Sequence, residues 1–233
     1  MKVMSYGAGT NSAAMLVGFK QRGIKPDVIL FADTGGEKPE TYEHLKIMKR
    51  WCLDNGFPEI SICREKQTLE SDCLNRKALP GLAYGFKSCS EHYKIRPQKR
   101  WLKANGIKAE LFYVGIDAGE SHRIKDDPST EYPLISWGWG RKECIDAIEK
   151  EGLPLPGKSS CFFCPAMKAG EIRALSVQHP ELMDRALKIE KNANLTVATG
   201  LGRSFSWSSV IATDDMFPEL YNSTEIACGC YDG

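Results

Sequence analysis

Lys2-Val3-Met4-Ser5-Tyr6-Gly7-Ala8-Gly9-Thr10-Asn11-Ser12 is the stretch whose reading decides the fold. A short apolar start, long enough for a buried strand, runs into small residues and then into Ala13-Ala14-Met15-Leu16-Val17, whose composition suits a helix. The pattern is strand, anion-binding loop, helix. Gly7, Ala8 and Gly9 let the backbone approach an anion closely, while Ser12 and the free N–H groups of the first helical turn supply donors backed by the helix dipole. The expected ligand is a phosphate or sulfate ester, set against the plainer alternative of a glycine turn that binds nothing.

Working outward, Asp27-Val28-Ile29-Leu30-Phe31-Ala32 reads as a second buried strand that hands over to Asp33-Thr34-Gly35-Gly36-Glu37. A helix follows to about Asn55, with Leu45, Met48, Trp51 and Cys52 at helical spacing. Glu59 to Cys63 is a third strand, residues 64 to 86 a loop or short-helix excursion, and Glu110 to Ile116 another core strand ending in Asp117. Ligands of open α/β sheets gather at the carboxyl ends of strands, so these exits should line one pocket. The opening loop lacks both the Gly-Lys-Ser/Thr ending of a P-loop and the three-glycine spacing of a dinucleotide fingerprint.

With 233 residues, 42% of them hydrophobic and 26% charged, the chain can bury a real core as one globular unit. A formal net charge of +1 provides no global field for nucleic acid or an anionic membrane, so a nucleic-acid partner has no support from charge. No apolar run reaches membrane-spanning length and no signal-peptide pattern opens the chain, which gives a cytoplasmic expectation with no membrane partner. Nine cysteines in a reducing compartment point to metal or redox chemistry rather than disulfides. Cys52, Cys63 and Cys73 read as small packed thiols. Cys161-Phe162-Phe163-Cys164-Pro165 can place two sulfurs on one metal, and with Cys89 and Cys144 it makes a four-thiolate site for a 4Fe-4S cluster or a tetrahedral zinc.

Two motifs in register carry a resemblance. Gly7-Ala8-Gly9-Thr10-Asn11-Ser12 is similar to the Ser-Gly-Gly-X-Asp-Ser loop of N-type ATP pyrophosphatases and phosphoadenylylsulfate (PAPS) reductases, the adenine nucleotide alpha-hydrolase-like group. Phe31-Ala32-Asp33-Thr34-Gly35-Gly36-Glu37-Lys38-Pro39-Glu40-Thr41 closely resembles the Phe-X-Asp-Thr-Gly-X-X-X-Pro-Glu-Thr signature of the same PAPS-reductase-like family. The resemblance covers roughly residues 2–165. It implies a doubly wound, mostly parallel α/β sheet of about five strands, here with a nucleotide-binding core over residues 1–135 and a Cys-rich helical extension over 136–233 packed on it as a single globular unit.

The same resemblance implies the site. ATP or PAPS would be bound by Ser5, Gly7, Gly9, Asn11 and Ser12, by Asp33, Thr34 and Gly35 on the adenosine side, and by Lys94 and Arg96 of Tyr93-Lys94-Ile95-Arg96-Pro97. Gly115-Ile116 with Glu120, His122 and Arg123 is similar to the family's Gly-Ile-X-X-Asp-Glu-X-X-Arg element; Glu120 would touch a metal or the ribose, and Arg123 would clamp phosphate or sulfate, with His122 structural. Asn11 stands where the family has the aspartate that bears on a magnesium site. The cysteine order resembles iron–sulfur-type members, which favours the cluster on Cys89, Cys144, Cys161 and Cys164 over zinc. Ala227-Cys228-Gly229-Cys230 resembles the family's thiol tail without its glutamate or histidine, so Cys228 and Cys230 are either catalytic thiols or metal ligands.

The implied function is action at the α-phosphate or sulfonyl group of an adenine nucleotide in sulfur transfer or reduction, with thioredoxin or another reductant, or a sulfur donor, as partner. The alternatives are ATP-dependent adenylation with sulfur insertion into a nucleic acid, and a non-catalytic nucleotide-binding module with structural zinc. Elsewhere Lys99, Arg100 and Lys103 read as a solvated helix face, Glu171 to Lys191 as two helices broken at His179-Pro180, and Thr199 to Trp207 as a flexible loop with an exposed Arg203.

Overall fold

The structure, a computed structural model, describes residues 1–81 and 87–214. In chain order it contains β1 (Lys2–Ser5), α1 (Thr10–Arg22), β2 (Val28–Asp33), α2 (Pro39–Asp54), β3 (Ile60–Arg64) and α3 (Leu69–Arg76). Then come α4 (Ser88–Ser90), a π-helical turn (Glu91–Ile95), α5 (Arg96–Ala104), β4 (Leu111–Val114), a 3-10 segment (Ala118–Arg123) and β5 (Thr130–Glu131). The other elements among the described residues are helices: α6 (Pro133–Ser136), α7 (Arg141–Lys150), α8 (Ala169–Gln178), α9 (Pro180–Asn192) and α10 (Trp207–Asp214).

All five strands are parallel, in the order β3-β2-β1-β4-β5. The expected doubly wound α/β sheet is therefore what forms. β1 lies at the centre, with Met4 opposite Ile29 on one side and Tyr113 on the other. The chain winds outward from β1 through β2 to β3 and then crosses back to β4, so strand order reverses between β1 and β4. That crevice is where a ligand of such a sheet binds.

The core explains the sequence pattern. α1 is buried on every side from Thr10 to Phe19 because it is a middle layer: Ala13, Ala14, Met15, Leu16, Val17 and Phe19 share one apolar cluster with strand residues beneath and with Cys144, Ala147 and Ile148 of α7 above. Gly18 makes room for the Trp137 ring at the end of α6, since a Cβ there would sit 2.2 Å from it. Val3, Val28 and Leu30 pack instead against Leu102 of α5. A further cluster joins Leu69 and Cys73 of α3 to Phe162, Phe163, Ile172, Met183 and Ile189. Residues on both sides of position 135 enter the first and the last of these clusters.

The short-helix excursion expected over residues 64 to 86 is α3, started by the Thr68 hydroxyl, which accepts from the Ser71 N–H at 3.2 Å. One reading needs correction: the 199–207 loop is held rather than flexible. The buried Glu190 carboxylate accepts from the N–H groups of Leu201, Trp207 and Ser208 at 2.7, 2.8 and 3.1 Å and from the Ser208 hydroxyl at 2.9 Å. Among the described residues no helix is long and apolar enough to cross a membrane.

Candidate functional site

The turn from β1 into α1 is built as an enclosed cradle. Ser5 through Ser12 are all buried, and Ala8 takes the left-handed conformation at φ +58°, unusual for a residue with a side chain. Ser12, expected to offer its hydroxyl to a ligand, uses it locally: it accepts from the Gly9 N–H at 3.2 Å and donates to the Gly9 carbonyl at 3.0 Å. The Ser5 hydroxyl accepts from Gln98 Nε2 at 2.8 Å, so it too is engaged from within the fold. What the cradle can present to an anion is therefore backbone N–H at the start of α1, where helical geometry leaves donors without intrahelical partners.

Asn11 points across this turn. Its Nδ2 donates to Glu120 Oε2 at 3.3 Å, while its Oδ1 is buried with no hydrogen-bond partner among the described residues. Glu120 Oε1 accepts from Arg123 Nη1 at 2.6 Å, and both side chains are mostly covered, at 20% and 13% exposed. The 3-10 segment that carries them is started by Asp117, whose Oδ1 accepts from the Gly119 N–H at 2.9 Å. Gly115 lets it approach: a Cβ there would be 3.2 Å from the Ser12 nitrogen and 3.3 Å from the Asn11 carbonyl carbon. Asn11, Gly115, Glu120 and Arg123 are thus brought together at the reversal of strand order.

The β2 exit forms the neighbouring wall. Asp33 Oδ1 accepts from the Gly35 N–H and from the Tyr42 hydroxyl, both at 2.8 Å. Burial, followed by that bond to a carboxylate, pushes the Tyr42 phenol well above its ordinary value, so it stays a donor. Gly35 at φ +71° is a position only glycine fits, because a Cβ would lie 2.4 Å from Thr68 Cγ2. The Thr34 hydroxyl lies 3.1 Å from Cys161 Sγ, and the Phe162 N–H donates to the Gly36 carbonyl at 2.7 Å. The C-x-x-C segment is therefore docked on the Asp33 loop. Tyr42 and Gln98 were missed in sequence; the one signal for Gln98 was a polar residue on the buried side of α5, beside Pro97 and Leu102.

The cysteines divide. Cys73, Cys89, Cys161 and Cys164 belong to one cluster, and the Cys164 N–H donates to the Cys161 carbonyl at 3.0 Å in a tight turn. Cys144 lies elsewhere, fully buried against α1, because it falls on the apolar face of α7 with Ala147 and Ile148. A four-thiolate site that includes Cys144 is therefore not formed. Burial pushes the thiols of Cys73 and Cys144 up to about 12. It raises those of Cys89 and Cys161 too, with Lys94 working in the opposite direction on both.

Lys94 accordingly stands by the thiols, whereas Arg96 is half exposed and 3.8 Å from Glu91. Arg203 is half-buried rather than exposed: its Nη2 donates to the Pro80 carbonyl, and burial lowers its pKa beside Cys89 and Cys73. Among the described residues no three His, Cys, Asp or Glu side chains gather closely enough to hold a metal ion, so as arranged they do not fit a cluster or a zinc. Cys228 and Cys230 lie outside the described residues.

No family model matches the chain. It is 26% identical over 204 residues to an uncharacterized protein of Methanocaldococcus jannaschii, a match that covers 78% of this chain and 40% of that relative, so the chain spans well under half the relative's length. Among solved structures it is similar to PAPS reductase from Candida auris in a phosphate complex, with a TM-score of 0.44, 17% identity and coverage of 66% of this chain and 74% of that one. It is also similar to the U34-tRNA thiolase NcsA from Methanococcus maripaludis with its 4Fe-4S cluster, with a TM-score of 0.49, 15% identity and coverage of 99% of this chain and 76% of that one.

Proposed function

We propose that the protein binds an adenine nucleotide, PAPS or ATP, in the crevice between β1 and β4 and acts at its α-phosphate or sulfonyl group in sulfur transfer or reduction. One observation carries the reading: at the start of α1 a buried amide, Asn11, has an acceptor oxygen with no partner among the described residues, directly beside the Glu120–Arg123 pair. Orphaned polar atoms in an enclosed turn are costly unless a ligand group meets them, and this acceptor calls for a donor such as a ribose hydroxyl, or for a cation carried with the phosphates. Backbone donors of the first turn take the phosphate oxygens, and Arg123 turns from Glu120 to the ligand's anionic end. The Asp33-Thr34-Gly35 loop lies on the adenosine side.

With PAPS as substrate, a thiolate attacks the sulfonyl sulfur, the bond to the phosphate oxygen breaks, and adenosine bisphosphate leaves. A second thiol then attacks the resulting S-sulfonated cysteine, releasing sulfite and leaving a disulfide that an external dithiol reduces. Cys228 and Cys230 are the thiols proposed for this work.

Titration calorimetry with ATP and with PAPS tests the reading. We expect saturable binding of at least one of them by the wild-type chain and a loss of roughly tenfold or more for Arg123→Gln, in line with removing a charge-assisted contact. Absence of affinity for both nucleotides in the folded wild type refutes it. Product analysis then separates the chemistries: sulfite and adenosine bisphosphate for reduction, AMP and pyrophosphate for adenylation.

A further inference from the structure

Residues 87–108 hold seven lysines and arginines against one acid, Glu91, a local charge of +6 in a chain whose whole formal charge is +1. The fold turns that run into a surface. Pro97, Gln98 and Leu102 face inward on α5, leaving Arg96, Lys99, Arg100 and Lys103 exposed at successive helical turns. At one end lies a groove whose rim is Lys99, Lys103 and Lys108 and whose floor includes Leu102, Ile107 and Phe112. At the other end a cleft of about 500 Å³ opens between α3 and the π-helical turn, with Lys66, Arg76, Arg96 and Arg100 among its walls.

Counter-charges gather at the cleft rather than at the groove. Arg100 pairs with Glu65 at 2.5 Å, Arg76 pairs with Asp72 at 2.5 Å, Glu91 sits 3.8 Å from Arg96, and Asp127 lies near Lys99. Among the described residues Lys99, Lys103 and Lys108 form no side-chain ion pair, and the groove they rim holds no acid.

We propose that this face binds single-stranded nucleic acid. A concave apolar floor that includes one aromatic ring suits an unstacked base, and cations on the rim suit its flanking phosphates. A duplex would offer phosphates but no free base for Phe112, and a flat anionic membrane would not enter a groove. α5 is nine residues long, about 14 Å at the helical rise, so its exposed face spans about two or three extended nucleotides, with the groove and the cleft lengthening the track at its ends. With a whole-chain charge of +1, a polyanion has to be met by a local face of this kind. The proposal does not rest on the adenine-nucleotide reading, since it concerns the outer side of α5 and needs no nucleotide bound.

Fluorescence anisotropy with a labelled twelve-nucleotide single strand, on the full chain without added nucleotide, tests it. We expect binding that weakens steeply with salt, and for the triple variant Lys99→Gln, Lys103→Gln, Lys108→Gln a loss of roughly tenfold or more with a salt slope flatter by about 2. A matched control, Lys46→Gln, Lys142→Gln, Lys188→Gln, removes the same charge away from the groove and should bind as wild type; thermal melting checks that both variants fold. The proposal is overturned if the single strand does not bind, if the control loses as much affinity as the groove variant, or if a duplex of the same sequence binds as tightly.

Discussion

Cys144 and Cys161 are both sulfurs set among apolar side chains, yet they sit in opposite circumstances. Cys144 is a space-filling atom in the layer between α7 and α1, fully buried among Ala147, Ile148 and residues of the sheet cluster. Cys161 is half-buried, has the Thr34 hydroxyl at 3.1 Å, lies near Lys94 and Cys89, and rests on a loop that also forms the wall of the candidate site. A thiol with only carbon around it is packing; a thiol with a hydroxyl, a cation and other thiols around it has chemistry available.

Substitution to serine makes that contrast measurable. Cys144→Ser buries a hydroxyl with no partner and should lower unfolding free energy by about 2 kcal/mol, read by urea denaturation. Cys161→Ser, whose hydroxyl can pair with Thr34, should cost less than about 1 kcal/mol. Equal stability losses would erase the distinction.

Gly18→Ala sharpens the claim that the α1 layer has no slack. The added methyl meets the Trp137 ring, and we expect a net loss of about 1–2 kcal/mol despite alanine's better helix propensity. Gly157→Ala, where a Cβ meets nothing within 4 Å, should be nearly silent.

Asn11→Asp sets a second carboxylate against Glu120. Without a cation the two carboxylates repel, for a loss of about 1 kcal/mol at neutral pH. A like-charge pair raises the folded-state pKa, so that loss should shrink as pH falls through it. A stability difference from wild type that is flat with pH would rule the repulsion out.

The smallest effect belongs to Glu40, whose carboxyl is raised by burial but held below its ordinary value by the hydrogen bond from His179 at 2.6 Å. A depressed acid stabilises the fold above its unfolded pKa and loses that contribution as pH falls through the folded one. Nearly half exposed, it should contribute no more than a few tenths of a kcal/mol, seen as a shallower acid limb in His179→Gln.

The sheet was legible because parallel strands buried on both faces are written as apolar runs, and Val28–Asp33 announces itself. β5 was not, since two residues, Thr130 and Glu131, carry no pattern of their own. At the site, motifs supplied Asn11, Asp33, Glu120 and Arg123. They could not supply the Gln98 bond to Ser5 or the docking of Phe162 on Gly36, which depend on segments brought together from 93 and 126 residues apart. The grouping of Cys144 with the other thiols failed for the same reason: one helical face decides which side of the molecule a cysteine joins. The net charge of +1 hides a local excess on α5, which cancels against acids elsewhere in the sum.

The left-handed alanine at position 8 has one further consequence, for the order in which the molecule assembles. A non-glycine residue at φ +58° goes against its own preference by about 1 kcal/mol, so the isolated segment will favour other shapes. The turn should therefore be set late, once β4 has docked and Gly115 closes over α1. Ala8→Gly tests this: removing the penalty should slow unfolding while leaving the refolding rate unchanged, and faster refolding would mean the turn forms early.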